Sequence, residues 1–252
     1  MSSLLAANIG NTRVTLGIFR VPCKSAVDPC LVHSCPVPAG PDFAPPLRPA
    51  EPVDAAILAS VNPSHDKAVA AWITRAFGIR PLRFPEDVPL FLPNRYQPPE
   101  SAGTDRLANA IAAYDEFHSA CIIVDAGTAV TVDAVSADGA FQGGAILPGI
   151  ELAANALAHG TALLPRSEVK DPGPGIPNST RSAISAGVLR GTGGAVDRLA
   201  ADMARELGDC RHFVATGGDA ERIRALCTTP LEPRPHLALS GLAVAYTRHP
   251  HA

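Results

Sequence analysis

The alternation of apolar and polar residues predicts two β-hairpins of similar design, about half a chain apart. The first covers residues 3–20, with a Gly-Asn pair at its turn. The second covers residues 121–135 and turns at a Gly-Thr pair shortly after Asp125. In each hairpin an apolar strand brings a small polar residue to the turn. This repetition predicts a duplicated domain whose two turns face one another across a cleft.

The rest of the chain alternates between predicted strands and helices. A proline-rich segment over residues 22–52 predicts short edge strands and loops, because proline removes backbone donors and disfavours helices. Apolar runs predict strands at residues 53–61, 81–84 and 212–218. Apolar faces, alanine content and capping residues predict helices at about 65–77, 107–113, 150–158, 180–207 and 237–247.

Composition narrows the class of protein. A chain of 252 residues with 46% apolar residues buries one large core or two smaller ones, and two smaller cores fit the repeated hairpins. A net charge of -3 without a Lys/Arg cluster argues against nucleic acid as the main partner. No apolar run approaches the ~20 residues of a membrane span, so we expect a cytoplasmic protein. Six cysteines without C-x-x-C spacing favour reduced thiols.

Asp105 and Arg106 lie in or near the first turn of a predicted Ala-rich helix. One interpretation is structural: Asp105 caps the helix and complements its dipole, while Arg106 lies in solvent. The other is functional: the helix start presents a carboxylate and a guanidinium in one pocket, as a base and an anion clamp. The local sequence leaves both interpretations open.

Motif content then narrows the chemistry. The sequence has no Walker phosphate loop, no G-x-G-x-x-G before a helix, no G-x-S-x-G and no H-E-x-x-H. These absences argue against common nucleotide, hydrolase and zinc sites. Phosphoryl transfer needs backbone donors for phosphates, carboxylates for magnesium and a base for the attacking hydroxyl. One glycine turn is typical of an ordinary hairpin, but two such turns with Asp105 and Asp125 together indicate phosphate chemistry.

Three short motifs, in order, resemble those of a known family. N-I-G-N-T at residues 8–12 resembles D-x-G-N-T, G-T-D-R at 103–106 resembles G-A-D-R, and D-A-G-T at 125–128 resembles D-x-G-T. The chain is similar, over most of its length, to the type III pantothenate kinases of the acetate-and-sugar-kinase/actin-like superfamily. The resemblance implies an α/β, duplicated ribonuclease-H-like fold, with domains at residues 1–117 and 118–252 and a cleft between them.

The resemblance also implies a reaction and its participants. The reaction would be ATP-dependent phosphorylation of pantothenate to 4'-phosphopantothenate, the first step of coenzyme A synthesis. Asp105 would take the proton from the hydroxyl of pantothenate. Asp125 would bind an activating potassium or ammonium ion, and Mg2+ would accompany ATP. The protein would be a homodimer with its active site near the subunit interface.

The resemblance assigns binding roles residue by residue. The residues implied to bind pantothenate are Tyr96, Gly103, Thr104, Arg106 and Thr180. The residues implied to hold the ATP phosphates are Asn8, Gly10, Asn11, Thr12 and Thr128. Thr180 would reach pantothenate from the partner subunit.

Position 8 departs from the family pattern, because Asn8 replaces the aspartate of the opening motif. An amide keeps the shape and one acceptor, but it lacks the negative charge that favours hydrated magnesium. This change predicts weaker metal and nucleotide binding. It raises a second hypothesis, a catalytically weak or inactive homologue that acts as a ligand-binding or regulatory accessory protein. A phosphatase or another sugar-like kinase on the same fold is a third alternative.

Overall fold

The described residues form two compact units. The structure is a computed structural model that describes residues 2–21, 31–36, 43–45, 47 and 52–249. Unit 1 comprises Met1–Ser119, Ala137–Gln142 and His236–Ala252, and unit 2 comprises Ala120–Ser136 and Gly143–Pro235. The units differ from the predicted division after residue 117, because a short central segment and the C-terminal helix cluster with the N-terminal part of the chain.

The described residues form two five-stranded sheets, the first in unit 1 and the second in unit 2 except for Phe141 and Gln142, which begin a strand of the second sheet but belong to unit 1. The strands of unit 1 are β1 (Ser2–Ile9), β2 (Arg13–Val21), β3 (Leu31–Pro36), β4 (Ala55–Ser60) and β5 (Leu82–Arg83). The other sheet is formed by β6 (Cys121–Ala126), β7 (Ala129–Val135), β8 (Phe141–Pro148), β9 (His212–Thr216) and β10 (Glu232–Pro233). The strand orders are β3-β2-β1-β4-β5 and β8-β7-β6-β9-β10.

The two sheets repeat one topology. β1 pairs antiparallel with β2 and parallel with β4, and β6 pairs antiparallel with β7 and parallel with β9. In each sheet the hairpin's first strand is central, and a later strand pairs parallel on its other side. The duplication predicted from the two hairpins is therefore present in the sheets.

Six α-helices occur in the part of the chain that the structure describes. They are α1 (Pro63–Phe77), α2 (Thr104–Phe117), α3 (Ile150–Gly160), α4 (Thr180–Leu207), α5 (Ala220–Arg224) and α6 (Leu237–Arg248). α4 begins with a capping box between Ser179 and Ser182, in which each side chain bonds the backbone of the other. Its bounds match the predicted helix, because both the cap and the apolar stripe are local signals.

The core of unit 1 on one face of its sheet lies between the central strands and α1. Leu5, Leu16 and Ile73 are fully buried there, and the ring of Trp72 meets that of Phe43 edge to face at 5.6 Å. The predicted edge strand of the proline-rich segment is β3. Residues 22–30, 37–42, 46 and 48–51 of that segment lie outside the described residues, and so do Cys23 and Cys30.

α2 and α6 pack together in unit 1 with their backbones in contact. A Cβ atom added to Gly241 would lie 1.8 Å from the carbonyl oxygen of Ala108, which no real structure tolerates. Residues 237–245 of α6 are all buried, and α6 also contacts β1, β2 and β4. This close contact fixes where α2 lies, and therefore where the residues at its first turn lie.

The core of unit 2 lies between its sheet and the helices α3, α4 and α5. Ile122, Val132, Val196 and Ile223 are among its fully buried side chains. None of the helices that the structure describes is long and apolar enough to span a membrane. The cytoplasmic location stays a prediction.

Candidate active site

The turn after β1 carries the first candidate residues. The N–H of Gly10 donates to the carbonyl oxygen of Arg13 at 2.9 Å, which leaves Asn11 and Thr12 exposed at the tip of the turn. Asn8 is partly buried at the end of the strand, and its Oδ1 atom is buried without a hydrogen-bond partner. A buried acceptor without a donor costs free energy, so this oxygen is a candidate ligand contact.

The start of α2 lies beside the end of β1. The N–H of Val61 donates to the carbonyl oxygen of Ile9 at 3.0 Å. A Cβ atom on Gly103 would lie 3.7 Å from Cγ1 of Val61 and 2.7 Å from Oδ1 of Asp105. Glycine at 103 therefore lets the Asp105 carboxylate fold against the backbone. Through Val61, the G-T-D-R motif and the turn after β1 come together within unit 1.

Asp105 lies in the first turn of α2, but it is not the N-cap. Gly103 is the N-cap, no side chain bonds the cap backbone, and a carboxylate oxygen of Asp105 accepts from the N–H of Arg106 at 2.8 Å. Burial raises the pKa of Asp105, and the backbone N–H and positive charge of Arg106 offset this only in part. A carboxylate with a raised pKa is a better proton acceptor, as a general base requires.

Arg106 is buried, so the interpretation that places it in solvent is wrong. Only 5% of the residue is exposed. Its Cζ atom lies 5.1 Å from the ring centroid of Tyr96 and 5.5 Å from that of Phe141. The structure thus brings two predicted substrate-binding residues, Tyr96 and Arg106, into direct contact. Sequence reasoning missed Phe141, which belongs to none of the three motifs.

Thr104 is the second departure from the family motifs, because it stands where G-A-D-R has alanine. Its Oγ1 atom is buried without a hydrogen-bond partner, although the residue as a whole is partly exposed. Like Asn8, it presents an unsatisfied oxygen in the same unit as Asp105. A ligand that supplies the missing partner of such a hydroxyl is bound more tightly for that reason.

In unit 2, Asp125 lies near the end of β6 and is partly buried. Gly217 has a φ of +93°, and a Cβ atom there would lie 2.6 Å from Oδ1 of Asp125, so only glycine fits. At the following turn, the carbonyl oxygen of Thr128 accepts from the N–H of Gly149 at 3.0 Å, while Thr128 itself is exposed. The second hairpin thus carries Asp125 near the end of β6 and the exposed Thr128 in the turn that follows.

Thr180 occupies the first position of α4 and is exposed. The capping is done by Ser179, so the side chain of Thr180 is not needed to start the helix. Thr180, Asp125 and Thr128 belong to unit 2, whereas the other predicted site residues belong to unit 1.

The donor set of the described residues limits which metal ion fits. Among them, no three His, Cys, Asp or Glu side chains lie close enough to hold a metal ion. Asp125 offers one carboxylate near the end of β6, and its Oδ1 atom and the carbonyl oxygen of Ala126 both lie within 2.6 Å of the position that a Cβ atom would take on Gly217. A single carboxylate is fewer ligands than a divalent ion bound directly by protein takes, and a monovalent cation at Asp125 stays a prediction.

Comparison with known proteins places the chain in a family. The family model of the type III pantothenate kinases matches residues 4–202. A type III pantothenate kinase of Desulfatibacillum aliphaticivorans is 32% identical over 257 residues, which cover 97% of this chain and 98% of the relative. One from Anaeromyxobacter sp. (strain K) is 34% identical, with 98% and 99% covered.

Solved structures share the fold at low sequence identity. A conserved protein of the Baf family of transcriptional activators from Campylobacter jejuni has a TM-score of 0.62 and 19% identity, with 96% of each chain covered. Component A of the (R)-2-hydroxyglutaryl-CoA dehydratase of Acidaminococcus fermentans has a TM-score of 0.51 and 12% identity, with 97% of each covered. The α/β, duplicated ribonuclease-H-like fold of the actin-like ATPases is therefore confirmed. The chain belongs to the type III pantothenate kinase family.

Proposed function

We propose that this protein phosphorylates pantothenate with ATP to give 4'-phosphopantothenate, the first step of coenzyme A biosynthesis. The observation that carries the proposal is the partly buried Asp105 carboxylate with its raised pKa, beside Arg106, in a chain of this family. The test is a coupled assay of ADP release with pantothenate, ATP, Mg2+ and K+, with mass spectrometry of the product. Release of ADP without phosphopantothenate would contradict the proposal.

In this mechanism Asp105 acts as the general base. Its carboxylate takes the proton of the pantothenate hydroxyl as the hydroxyl oxygen forms a bond to the γ-phosphorus of ATP. The bond between that phosphorus and the bridging oxygen breaks, and ADP leaves with the electron pair. Arg106 binds the pantothenate carboxylate, which its planar guanidinium matches in charge and shape. Tyr96, Gly103, Thr104 and Thr180 complete the substrate contacts.

The exposed turn of the first hairpin binds the phosphates of ATP in the same proposal. Gly10 closes the turn, and Asn11 and Thr12 meet the phosphates at its tip. Thr128 of the second hairpin joins them, and Asp125 holds the potassium or ammonium ion. When bound, Mg2+ neutralises part of the phosphate charge. The unsatisfied Oδ1 of Asn8 is the acceptor on this chain that fits a water of the hydrated ion.

Replacing Asn8 by Asp is expected to lower the KM for MgATP by about 3- to 10-fold, because a carboxylate attracts the hydrated ion and an amide does not. Asn8→Ala, which removes the oxygen, is expected to raise the KM instead. Steady-state kinetics at fixed Mg2+ and calorimetric titration with MgADP measure both changes. If Asn8→Asp and Asn8→Ala change nucleotide affinity in the same direction, the proposed role of position 8 is wrong.

The neutral side chain of Asn8 also favours the second candidate function, a weak or inactive homologue that serves as an accessory protein. The same experiment separates the two functions. The kinase proposal requires turnover by the native protein. No turnover by the native protein, together with turnover by Asn8→Asp, would favour the accessory function.

A homodimer is part of the proposal, and an apolar groove of about 590 Å³ in unit 2 supports it. The groove lies between the end of β8, α3 and α4, and Leu147, Leu157 and Val188 are among its lining residues. Leu157, which lines it, is 37% exposed, and Leu152 of the same helix is 48% exposed. Apolar surface of this kind is typical of a protein interface. A second copy of the chain is its proposed occupant.

Gly191→Arg is therefore expected to convert a dimer into a monomer. Gly191 lines the groove and has no atom within 4 Å of an added Cβ, so the variant folds but places a charge on the apolar surface. The matched control is Ala201→Arg, an exposed position on the same helix outside the groove. Light scattering measures the mass of each. A Gly191→Arg protein that stays dimeric would show that the interface lies elsewhere.

A further inference from the structure

Tyr96, Arg106 and Phe141 form a cluster in unit 1 that we call the aromatic clamp. The ring centroids of Tyr96 and Phe141 lie 6.1 Å apart, with an angle of 43° between the ring planes. The guanidinium carbon of Arg106 lies 5.1 Å and 5.5 Å from these two centroids. Both rings therefore contact the same cation.

Phe141 also holds the loop that carries Tyr96. Its N–H donates to the carbonyl oxygen of Pro93 at 2.9 Å, and its own carbonyl oxygen accepts from the N–H of Arg95 at 2.9 Å. The N–H of Tyr96 then donates to Oδ1 of Asn94 at 3.0 Å. The start of β8 thus fixes the backbone of this loop, and the ring of Phe141 packs under its aromatic residue.

The ring of Phe141 is fully buried, at 0% exposure, whereas Tyr96 is partly exposed. A buried guanidinium loses hydration, and an aromatic face recovers part of that loss by its attraction for the cation. This attraction acts through the face of the ring, so it keeps the guanidinium close to the ring. An aliphatic side chain of similar volume fills the same space without attracting or orienting the cation.

We propose that Phe141 is a positioning residue that holds Arg106 and Tyr96 in the orientation that binds the carboxylate end of the substrate. This inference rests on the proposed function, since the substrate is taken to be pantothenate. Phe141 acts through its two neighbours, so it affects substrate binding more than the chemical step. Neither the motifs nor the family resemblance assigns it a role.

The test compares Phe141→Leu with Phe19→Leu. Phe19 lies in β2 of the same unit and is also 0% exposed, so both changes remove a buried ring of unit 1. Phe141→Leu is expected to raise the KM for pantothenate by about tenfold, with kcat and the KM for ATP within about threefold of the native values. Phe19→Leu is expected to lower thermal stability and leave the KM for pantothenate unchanged.

Equal changes of KM in the two variants, or an unchanged KM in Phe141→Leu, would overturn the inference. If Phe141→Leu does not fold, Phe141→Met is measured in the same way, because its flexible side chain fills an irregular space without a ring.

A second measurement separates this inference from the proposed function. NMR of the Arg106 side-chain Nε–H group reports the ring contacts in the absence of any substrate. We expect its chemical shift to change in Phe141→Leu and to stay unchanged in Phe19→Leu. If native protein does not phosphorylate pantothenate, the proposed function fails, but the chemical shift of Arg106 still tests whether Phe141 positions Arg106. An equal shift in Phe141→Leu and Phe19→Leu would overturn that inference.

Discussion

Replacing Asp105 by Asn is expected to lower kcat for pantothenate phosphorylation by about 10²- to 10⁴-fold, the usual effect of losing a general base. The amide keeps the size and the contact with the N–H of Arg106, so the KM for pantothenate should change little. Single-turnover and steady-state assays of phosphopantothenate formation measure the loss. A kcat within tenfold of the native value would show that another group accepts the proton.

The Asp105→Asn variant should be at least as stable as the native protein at neutral pH. Burial raises the pKa of Asp105 in the folded state, so ionisation of this carboxyl disfavours folding. The contribution of Asp105 to stability is present below its unfolded pKa and is lost as pH rises through the folded pKa. The amide in the variant does not ionise and is not subject to that loss. Urea unfolding at pH 4 and pH 8 should therefore show a smaller difference in the variant.

The matched control is Asp115→Asn on the same helix. Asp115 is 7% exposed and pairs with Arg248, so its neutralisation should destabilise the protein and leave kcat largely unchanged.

Activity of the native enzyme should rise with pH through the raised pKa of Asp105, because the base works only when ionised. A flat activity profile with pH in this range would argue against Asp105 as the base.

Gly241→Ala is expected to destabilise the protein by more than about 3 kcal/mol, beyond the usual cost of overpacking. The new Cβ would lie 1.8 Å from the backbone oxygen of Ala108, and neither helix backbone yields as a flexible side chain does. α2 and α6 would have to separate. Urea denaturation measures the loss of stability, and activity should fall with it, because α2 carries Asp105.

Gly194→Ala is the control for this change. Gly194 is exposed in α4, and no atom lies within 4 Å of an added Cβ. Alanine is the better helix former, so this variant should gain about 0.5–1 kcal/mol. If Gly241→Ala unfolds at the same urea concentration as native protein, the contact between α2 and α6 is looser than described.

Features set by neighbouring residues were predictable from the sequence. The hairpins follow from alternation and a glycine turn, and α4 follows from its serine cap and its apolar stripe. The identity of Asp105 as a candidate base depended on a short motif, while the sequence left its capping role open. In the structure Gly103, not Asp105, is the N-cap of α2. Because Gly103 has no side chain, the Asp105 carboxylate can lie against the backbone of the first turn.

Features set by distant residues were not predictable. Whether Arg106 lies in solvent or in a pocket depends on Phe141, which is 35 residues further along the chain. Nothing in the sequence around Phe141 indicates that this residue would contact the loop at residues 93–96, which precedes α2. The assignment of α6 to unit 1 likewise depends on the contact between Gly241 and Ala108, which no periodicity encodes.

The assignment of α6 to unit 1 also bears on how the protein is made. A ribosome produces α2 more than a hundred residues before α6, and the surface around Ala108 has no cover in that interval. Unit 2 ends at Pro235, so all of its strands and helices are synthesised before α6. The sheet of unit 1 is thus complete early in translation, but its packing against α6 is completed last, and the helix that carries Asp105 reaches its final position only when residues 237–248 have been released.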